Sequence, residues 1–432
     1  MTTKKRFAAL LAAFAFVATA CGGGASTAPT DAPEATPETT AEVTEAPFPE
    51  GDFALTLWTK EGEADGSFQY VQSLVDAYEA LHSNVTIEVV NKNVEVLRED
   101  FQTAALGGVA PDLLWTVADH VGPFTAADLI LPLNDMVDAA SFVPAAAAAV
   151  TVDDTLWGAP VSFGNQLMLY WNKDLAGAAA PADSEAWIAT AKAQTSGDNF
   201  GLVFNQTESF WLVPFLGGFG GSVFDADGVT PTLDTDAMKG ALQFLYDLKF
   251  TDKVTPAEAD YDVADGLFKD GKAAFIINGD WTLNGYAETL GDKLGVGPLP
   301  MITGHEDPHP YIAGAFLMAS KGVGDDADLK TVVSDFMKFA TSKEQQIKIV
   351  ETLKRLPGNA EAIADPIVTG DELLAGAAAA AQKGVPQPTN LEMRCVFDAM
   401  TPGVKDLFSG NSDVAGIAKT MQEVAVTCIS QL

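Results

Sequence analysis

Basic residues are scarce in this sequence. Lysine and arginine number 25 in a chain of 432 residues, against 59 aspartates and glutamates, and the formal net charge is −34. A surface this acidic repels phosphate backbones. We therefore expect no nucleic-acid partner, and a highly soluble protein that works outside the reducing cytosol.

Cysteine and histidine are also rare, with three and four residues. The cysteines are Cys21, Cys395 and Cys428, and the sequence has no CxxC, HExxH or clustered metal-binding spacing. This argues against a dedicated zinc or iron–sulfur site, and we expect no cofactor. The P-loop motif and the GxSxG motif are missing as well, so P-loop and serine-hydrolase functions lose their usual sequence support.

The first residues predict export and a lipid anchor. Lys4, Lys5 and Arg6 precede an uncharged run of fourteen residues, Phe7–Ala20, which is shorter than the about 20 residues of a membrane-spanning helix. Residues 1–20 are therefore predicted to be a secretory signal peptide. The segment Ala18–Gly22 resembles the lipobox of bacterial lipoproteins, which predicts lipidation of Cys21. The alternative is cleavage after an alanine that leaves a thiol near the N-terminus.

Residues 21–50 are predicted to be a disordered tether. Between Gly22 and Glu50 the chain has five prolines, six acidic residues and no lysine or arginine, so it has too little apolar surface to fold. The folded body is expected to begin near Asp52. With Cys21 lipidated, Cys395 and Cys428 remain, and an even pair outside the cytosol suggests one disulfide. Two buried thiols are the alternative.

Apolar patterns along the body predict an α/β protein. The apolar fraction is 47%, which is enough for two lobes. Strand-like segments such as Phe53–Trp58, Val85–Val90 and Asp112–Val117 alternate with helical periodicity, as in parallel β-α-β units. Asp112–Val117 is apolar enough to be buried on both faces. After Ala315–Ala319 the pattern is mainly helical, so we expect two α/β lobes and a helical C-terminal tail, with the ligand at the carboxyl ends of the strands.

Several segments together resemble one family, the extracellular solute-binding proteins of the maltose-binding type. The resemblance covers the chain from about Asp52 to its C-terminus and rests on four stretches: Ala110–Trp115 with Asp119; Trp157–Pro160 with Leu169–Leu175; Phe268–Phe275; and Ile277–Trp281, which matches an Asn-Gly-Pro-Trp stretch of the family.

The resemblance implies a type II periplasmic-binding-protein fold, with two α/β lobes around a ligand cleft and a multi-segment hinge. The first lobe would comprise residues 51–161 with 316–357, and the second residues 166–310 with 358–432. It also implies a non-enzymatic, monomeric, lipid-anchored receptor that delivers a sugar to the permease subunits of an ABC importer.

The family's ligand-binding positions carry over to residues of this chain. Asp119 and Glu208 fall where the family has acids that bind sugar hydroxyls, and Phe210 and Trp281 fall on stacking aromatics, with Trp211 as a further candidate ring. The loop after the first strand would contribute Lys60, Glu61 and Glu63. Asn165 lies near another family acid. The sequence departs from the family at Thr116, where an aromatic is usual, and at Met393–Phe397, where a further tryptophan is usual, which puts maltose itself in doubt.

These residue types suit a sugar, because aromatic rings cover the apolar faces of a pyranose and carboxylates accept hydrogen bonds from its hydroxyls. Each candidate also has a structural alternative. Trp281, and either Phe210 or Trp211, could belong to the core, and Asp119 could cap the helix that follows it. Glu208 and the charged loop residues could simply be solvated.

Other functions remain open from the sequence alone. A secreted glycoside hydrolase would use two carboxylates, and acidic residues are abundant, although no segment resembles a hydrolase. A polyol, a glycerol-phosphate-type compound, a polyamine or a metal could replace the sugar as ligand. A phosphate would require basic residues in the cleft and a metal would require a cluster of ligands, and the sequence indicates neither.

Overall fold

The computed structural model describes residues 48–63 and 66–432, so the predicted signal peptide and Cys21 lie outside the described residues. The strands are β1 (Phe53–Thr59), β2 (Val85–Asn91), β3 (Leu113–Val117), β4 (Thr151–Val152), β5 (Thr155–Leu156), β6 (Ala159–Gly164), β7 (Leu167–Asn172), β8 (Phe200–Val203), β9 (Ala273–Gly279), β10 (Leu294–Gly297), β11 (Tyr311–Ala319) and β12 (Val385–Pro386).

The α-helices of the described residues are α1 (Ser67–Leu81), α2 (Val94–Leu106), α3 (Val121–Ala126), α4 (Pro144–Ala148), α5 (Lys173–Ala176), α6 (Ser184–Gln194), α7 (Val213–Gly218), α8 (Asp236–Phe250), α9 (Tyr261–Lys269), α10 (Leu283–Leu290), α11 (Ala327–Ala340), α12 (Lys343–Leu353), α13 (Ala360–Ile363), α14 (Pro366–Thr369), α15 (Glu372–Ala381), α16 (Glu392–Phe408) and α17 (Val414–Ile429). None of the helices in this part of the chain is both long and apolar enough to span a membrane.

One sheet forms the first lobe, in the order β12-β11-β3-β1-β2, with β6 also paired to β11. Strands β2 and β3 flank β1 in parallel, as the alternating pattern predicts. Every residue of β3 is buried, which agrees with the prediction from its apolar sequence. Helices α1, α11 and α12 pack together and cover this lobe.

A second sheet forms the second lobe, in the order β10-β7-β9-β8. Strand β7 is antiparallel to both β9 and β10, and only β8 and β9 are parallel. The parallel pairing that the alternating pattern predicts is therefore found in this sheet only between β8 and β9. The reason is the chain path, because β6 runs straight into β7 from the first sheet and the direction of β7 is set by this crossing.

Alternate residues of the second sheet belong to two hydrophobic clusters. Tyr170 and Ile276 pack into the cluster that also fills the first lobe. Leu169 and Phe275, one position before them, pack into the cluster beneath α16 and α17. Because successive strand side chains point to opposite faces, both faces of this sheet are covered.

The main chain passes between the two sheets several times. The shortest crossing is Asn165–Gln166, which joins β6 to β7, and β11 returns from the second lobe to the first sheet. Later the chain goes from α12 in the first lobe to α15, which packs on β10. These crossings form the multi-segment connection that the resemblance implies.

The lobe boundaries differ in places from the expected ranges. Strand β11 begins at Tyr311 rather than near 316, and β12 pairs with it in the first sheet. Helix α13 packs on α12 of the first lobe. At the start of the described residues, the ring of Phe48 stacks on that of His82, with centroids 4.1 Å apart.

A disulfide joins the last two helices. Cys395 on α16 and Cys428 on α17 are bonded, with their Cα atoms 5.5 Å apart. The two helices pack along each other and onto α8 of the second lobe. The helical tail is therefore an integral part of the second lobe.

Candidate functional site

The loop that leaves β1 carries a buried carboxylate. Glu61 is 2% exposed, and its Oε1 accepts a hydrogen bond from Trp115 Nε1 at 3.0 Å. Its Oε2 lies 2.8 Å from Nη1 of Arg355, and Lys60 Nζ lies 3.0 Å from Oε1. The carboxylate thus joins the end of β1 to β3 and to the segment after α12.

Two opposing effects act on this carboxylate. Burial by itself would raise the pKa of Glu61, but the charges and hydrogen bonds of Arg355 and Lys60 outweigh burial and hold that pKa far below its usual range. Glu61 is therefore ionised at neutral pH. With one anion and two cations, the three side chains keep one net positive charge.

A small cavity of about 10 Å³ lies where the crossing strands meet the two lobes. The first lobe contributes Lys60 and Arg355 to its lining, and the second contributes Asp280 and Trp281. Asn165 lines it at the β6–β7 crossing. A cavity of this size has room for about one water. The two lobes therefore lie close together around it.

Asp280 follows β9 in a 3₁₀ turn and is fixed to the crossing. Its Oδ2 accepts a hydrogen bond from the Asn165 backbone N–H at 3.1 Å, and its own N–H donates to the carbonyl of Gln166 at 3.1 Å. Burial raises the pKa of Asp280 to about 6, although Arg355, the Asn165 N–H and Lys60 oppose that rise.

The backbone at the crossing is shaped for this contact. Asn165 has a φ of 58° and Gly164 a φ of 136°. A Cβ on Gly164 would lie 2.3 Å from Asp280 Oδ2, so only glycine lets the carboxylate lie against the strand. The crossing and the residue before Trp281 are therefore held together.

Trp281 is half-buried beside this cavity. Its indole Nε1 donates to Tyr261 Oη at 2.9 Å, and its ring lies flat against Gly279, where a Cβ would be 2.1 Å from the ring. The ring of Phe210, also half-buried, has its centroid 6.4 Å from that of Trp281. These contacts fix the Trp281 ring while part of it stays accessible.

Trp211 is a core residue and does not join this aromatic surface. It is 4% exposed, and its Nε1 donates to the carbonyl of Ile277 at 2.9 Å. Trp211 is a buried member of the second-lobe cluster, whereas Phe210, its neighbour in the 3₁₀ turn Ser209–Trp211, is only partly buried against that cluster. The candidate role of Trp211 as a ligand-contacting ring is therefore not supported by its position.

Asp119 lies in the 3₁₀ turn Ala118–His120 after β3. Helix α3 has no side-chain cap, so Asp119 is not its N-cap. Burial raises the pKa of Asp119, and the positive charges of Arg98 and Arg394 oppose that rise. Arg394 lies in the first turn of α16 in the second lobe, and its Nη2 is 3.8 Å from Oε1 of Glu99 on α2. Asp119 is therefore beside a contact between the lobes.

The remaining candidate acids lie on the surface. Glu63 and Glu208 are both exposed and do not line the cavity. Three of the predicted residues line the cavity, namely Lys60, Asn165 and Trp281. Glu61 does not line it but is bonded to Lys60. Asp280 and Arg355, which were not among the predicted residues, also line the cavity. Asp280 had a sequence signal, since it stands where the family stretch has proline, whereas nothing near Arg355 marked it.

Residues 73–376 match the family of bacterial extracellular solute-binding proteins. The chain belongs to this family. Curated relatives include a maltotriose-binding protein from Pyrococcus abyssi, 24% identical over 82% of this chain and 78% of the relative. A galactooligosaccharide-binding protein from Bacillus subtilis is 24% identical over 83% of this chain and 85% of that protein.

Solved structures show the same fold. The maltose/maltodextrin-binding domain MalE from Bdellovibrio bacteriovorus, bound to maltotriose, has a TM-score of 0.82 and 30% identity, covering 87% of this chain and 100% of that one. The maltotriose-binding protein of Thermus thermophilus, bound with maltotriose, has a TM-score of 0.79 and 26% identity. The match covers 87% of this chain and 100% of that one. This chain therefore has the type II binding-protein fold predicted from its sequence.

Proposed function

We propose that this chain is a receptor that captures an oligosaccharide of the maltodextrin type between its two lobes. The observation that carries the proposal is the position of Trp281, whose partly accessible ring lies beside Asp280, with Lys60 and Arg355 of the opposite lobe around the same cavity. Because that cavity has room for about one water, the sugar would bind where the two lobes separate at this point. An apolar face next to charged hydrogen-bonding groups matches the two sides of a sugar ring.

The same arrangement couples binding to lobe closure. A sugar that stacks on Trp281 and contacts Lys60 touches both lobes at once, whereas in an open form it could touch only one. Closure by a ligand requires such a difference in contacts. Phe210 extends the aromatic surface for a further sugar unit, and Asp119 offers a carboxylate beside the contact between α2 and α16.

The chain's relatives support the ligand class. The names of the two curated relatives are those of oligosaccharide binders, and the MalE domain holds maltotriose. We extend this to the transport step, in which the monomeric receptor, anchored through a lipid on Cys21 at the outer face of the cell membrane, hands the sugar to an ABC permease. The chain would perform no chemistry on the sugar.

The charges at the cavity favour a sugar over a phosphate-bearing ligand. A phosphate needs a net positive charge at its site, but the two cations Lys60 and Arg355 are balanced there by Glu61, to which both are bonded, and by Asp280. The same pairing holds Glu61 ionised, so Glu61 itself is a poor general acid. Asp280, whose pKa is raised to about 6, is the carboxyl group that the glycoside panel tests for hydrolysis.

A thermal-shift screen tests the proposal, because a ligand that binds the folded state raises its melting temperature. The panel should contain maltodextrins, trehalose, sucrose, xylo- and cello-oligosaccharides, galactooligosaccharides and glycerol phosphates. We expect a shift with at least one oligosaccharide and no turnover of a glycoside panel. A shift with glycerol phosphate alone, or measurable hydrolysis, would contradict the proposal.

A further inference from the structure

Asp280 is a buried carboxylate without an ion-pair partner among residues 48–63 and 66–432. It is 5% exposed, and the nearby cations Lys60 and Arg355 are paired with Glu61 instead. Its Oδ2 is occupied by the Asn165 N–H. Burying such a group is costly unless something binds it, and charged groups of this kind concentrate at functional sites.

The second carboxylate oxygen of Asp280 is in a position to bind a ligand. Among those described residues, Oδ1 accepts no hydrogen bond, and Asp280 lines the cavity next to Trp281. The 3₁₀ turn Asp280–Thr282 fixes the carboxylate relative to the Trp281 ring. A sugar unit stacked on that ring would have hydroxyls at its edge, on the side where Asp280 lines the same cavity.

The backbone contact of Asp280 requires a residue other than proline. The family stretch has proline at this position. Proline has no backbone N–H, so it could not donate the hydrogen bond that Asp280 donates to the Gln166 carbonyl. In this chain the turn is thus tied to the crossing twice, once by the N–H and once by Oδ2. Since the turn is held at two points and one of them is the carboxylate itself, the side chain is preorganised, which reduces the entropy lost on binding.

We propose that Asp280 is a specificity-determining residue that accepts a hydrogen bond from one hydroxyl of the sugar unit stacked on Trp281. This inference rests on the proposed function. It also sets the ligand class, because an anion at this position favours a neutral sugar with a hydroxyl there and repels acidic sugars or phosphorylated polyols.

Calorimetric titration with monodeoxy analogues of the sugar found in the screen tests the proposal. Asp280→Asn keeps the shape and an oxygen for the Asn165 N–H, and we expect it to weaken binding by about 10- to 100-fold. One deoxy analogue should lose a similar factor with the parent protein but less than about 3-fold with Asp280→Asn. Asp270→Asn, an exposed acid just before β9, is the matched control and should bind as the parent does.

The outcomes separate the two proposals. If the parent protein binds no sugar of the panel, both fail. If it binds a sugar, but Asp280→Asn binds equally well or every deoxy analogue loses the same factor in both proteins, only the role of Asp280 is wrong. Circular dichroism of the variant checks folding, and Asp280→Ser, which keeps a small acceptor for Asn165, replaces it if the asparagine variant does not fold.

Discussion

Glu61 and Arg355 form a buried ion pair, 2.8 Å from oxygen to nitrogen, between positions 294 residues apart in the chain. Both side chains are almost inaccessible, at 2% and 4% exposure. The pair connects the loop after β1 to the segment after α12, on the first-lobe side of the cavity. Arg355 also contributes directly to the cavity lining.

Breaking this pair should be costly. Arg355→Met leaves Glu61 buried with Lys60 as its remaining cation, and we expect the free energy of unfolding to fall by about 3–5 kcal/mol. Chemical denaturation measures this. Lys321→Met is the control, because Lys321 pairs with Asp128 at 2.7 Å in an exposed position, where the loss should be at most about 1 kcal/mol. Equal losses in the two variants would contradict the structural role of the buried pair.

The pKa of Asp280 predicts a specific pH dependence of stability. Burial raises it from 3.8 to about 6, so the folded state binds a proton that the unfolded state releases. The titration of Asp280 therefore increases the free energy of unfolding as the pH falls, by about 2 kcal/mol between about pH 7 and about pH 4.5. Glu61 has a lowered pKa, so its contribution is lost only at more acidic pH.

Comparison with Asp280→Asn isolates this effect, because Asp112 and Asp119 also have raised pKa values and are present in both proteins. The difference in unfolding free energy between parent and variant should change by about 2 kcal/mol across that interval. A difference that stays constant with pH would show that Asp280 titrates normally.

Local sequence patterns were sufficient for much of the fold. The buried strand β3 and the alternation through β1, α1, β2 and α2 follow from apolar spacing alone. The antiparallel strands of the second sheet could not be predicted this way, since their direction depends on where β6 crosses between the lobes. That path is set by tertiary packing, which leaves no periodic signal in the sequence.

The candidate site was only partly predictable for a similar reason. Phe210 and Trp211 are adjacent and chemically alike, and only the turn Ser209–Trp211 decides which ring lies in the core. Glu61 could be picked out as an acid in the loop after β1, which the family resemblance associates with polar ligand contacts. Its burial could not, because that depends on Arg355, a partner brought close by the fold of the whole first lobe.

Removing the disulfide should destabilise the second lobe. Cys395 and Cys428 are 33 residues apart, and the chain entropy of such a loop corresponds to about 3–4 kcal/mol. The double variant Cys395→Ala/Cys428→Ala should lose about this much in chemical denaturation. Mass spectrometry of non-reduced peptides checks the pairing itself, and two alkylatable thiols in the native protein would overturn it.

Cys21 should hold the protein at the membrane. The uncharged run that ends at Ala20 and the acidic, proline-containing segment after it motivate this expectation. In the native host, Cys21→Ala should move the protein from the membrane fraction to the medium or the periplasm, as fractionation and immunoblotting would show. Continued membrane retention of the variant would argue for a different anchor.

Trp281 and Trp211 should respond differently to the same truncation. Trp281 is half-buried at the cavity, so Trp281→Ala should weaken sugar binding by about 100-fold and leave cooperative unfolding intact. Trp211 is a core side chain bonded to the Ile277 carbonyl, so Trp211→Ala should instead lower the free energy of unfolding by about 3–5 kcal/mol. Calorimetric titration and chemical denaturation of both variants measure the contrast.

Small-angle scattering of the parent protein should also show compaction at saturating sugar, since the ligand contacts both lobes. Unchanged affinity in Trp281→Ala would refute the stacking role, and an unchanged radius of gyration would refute closure.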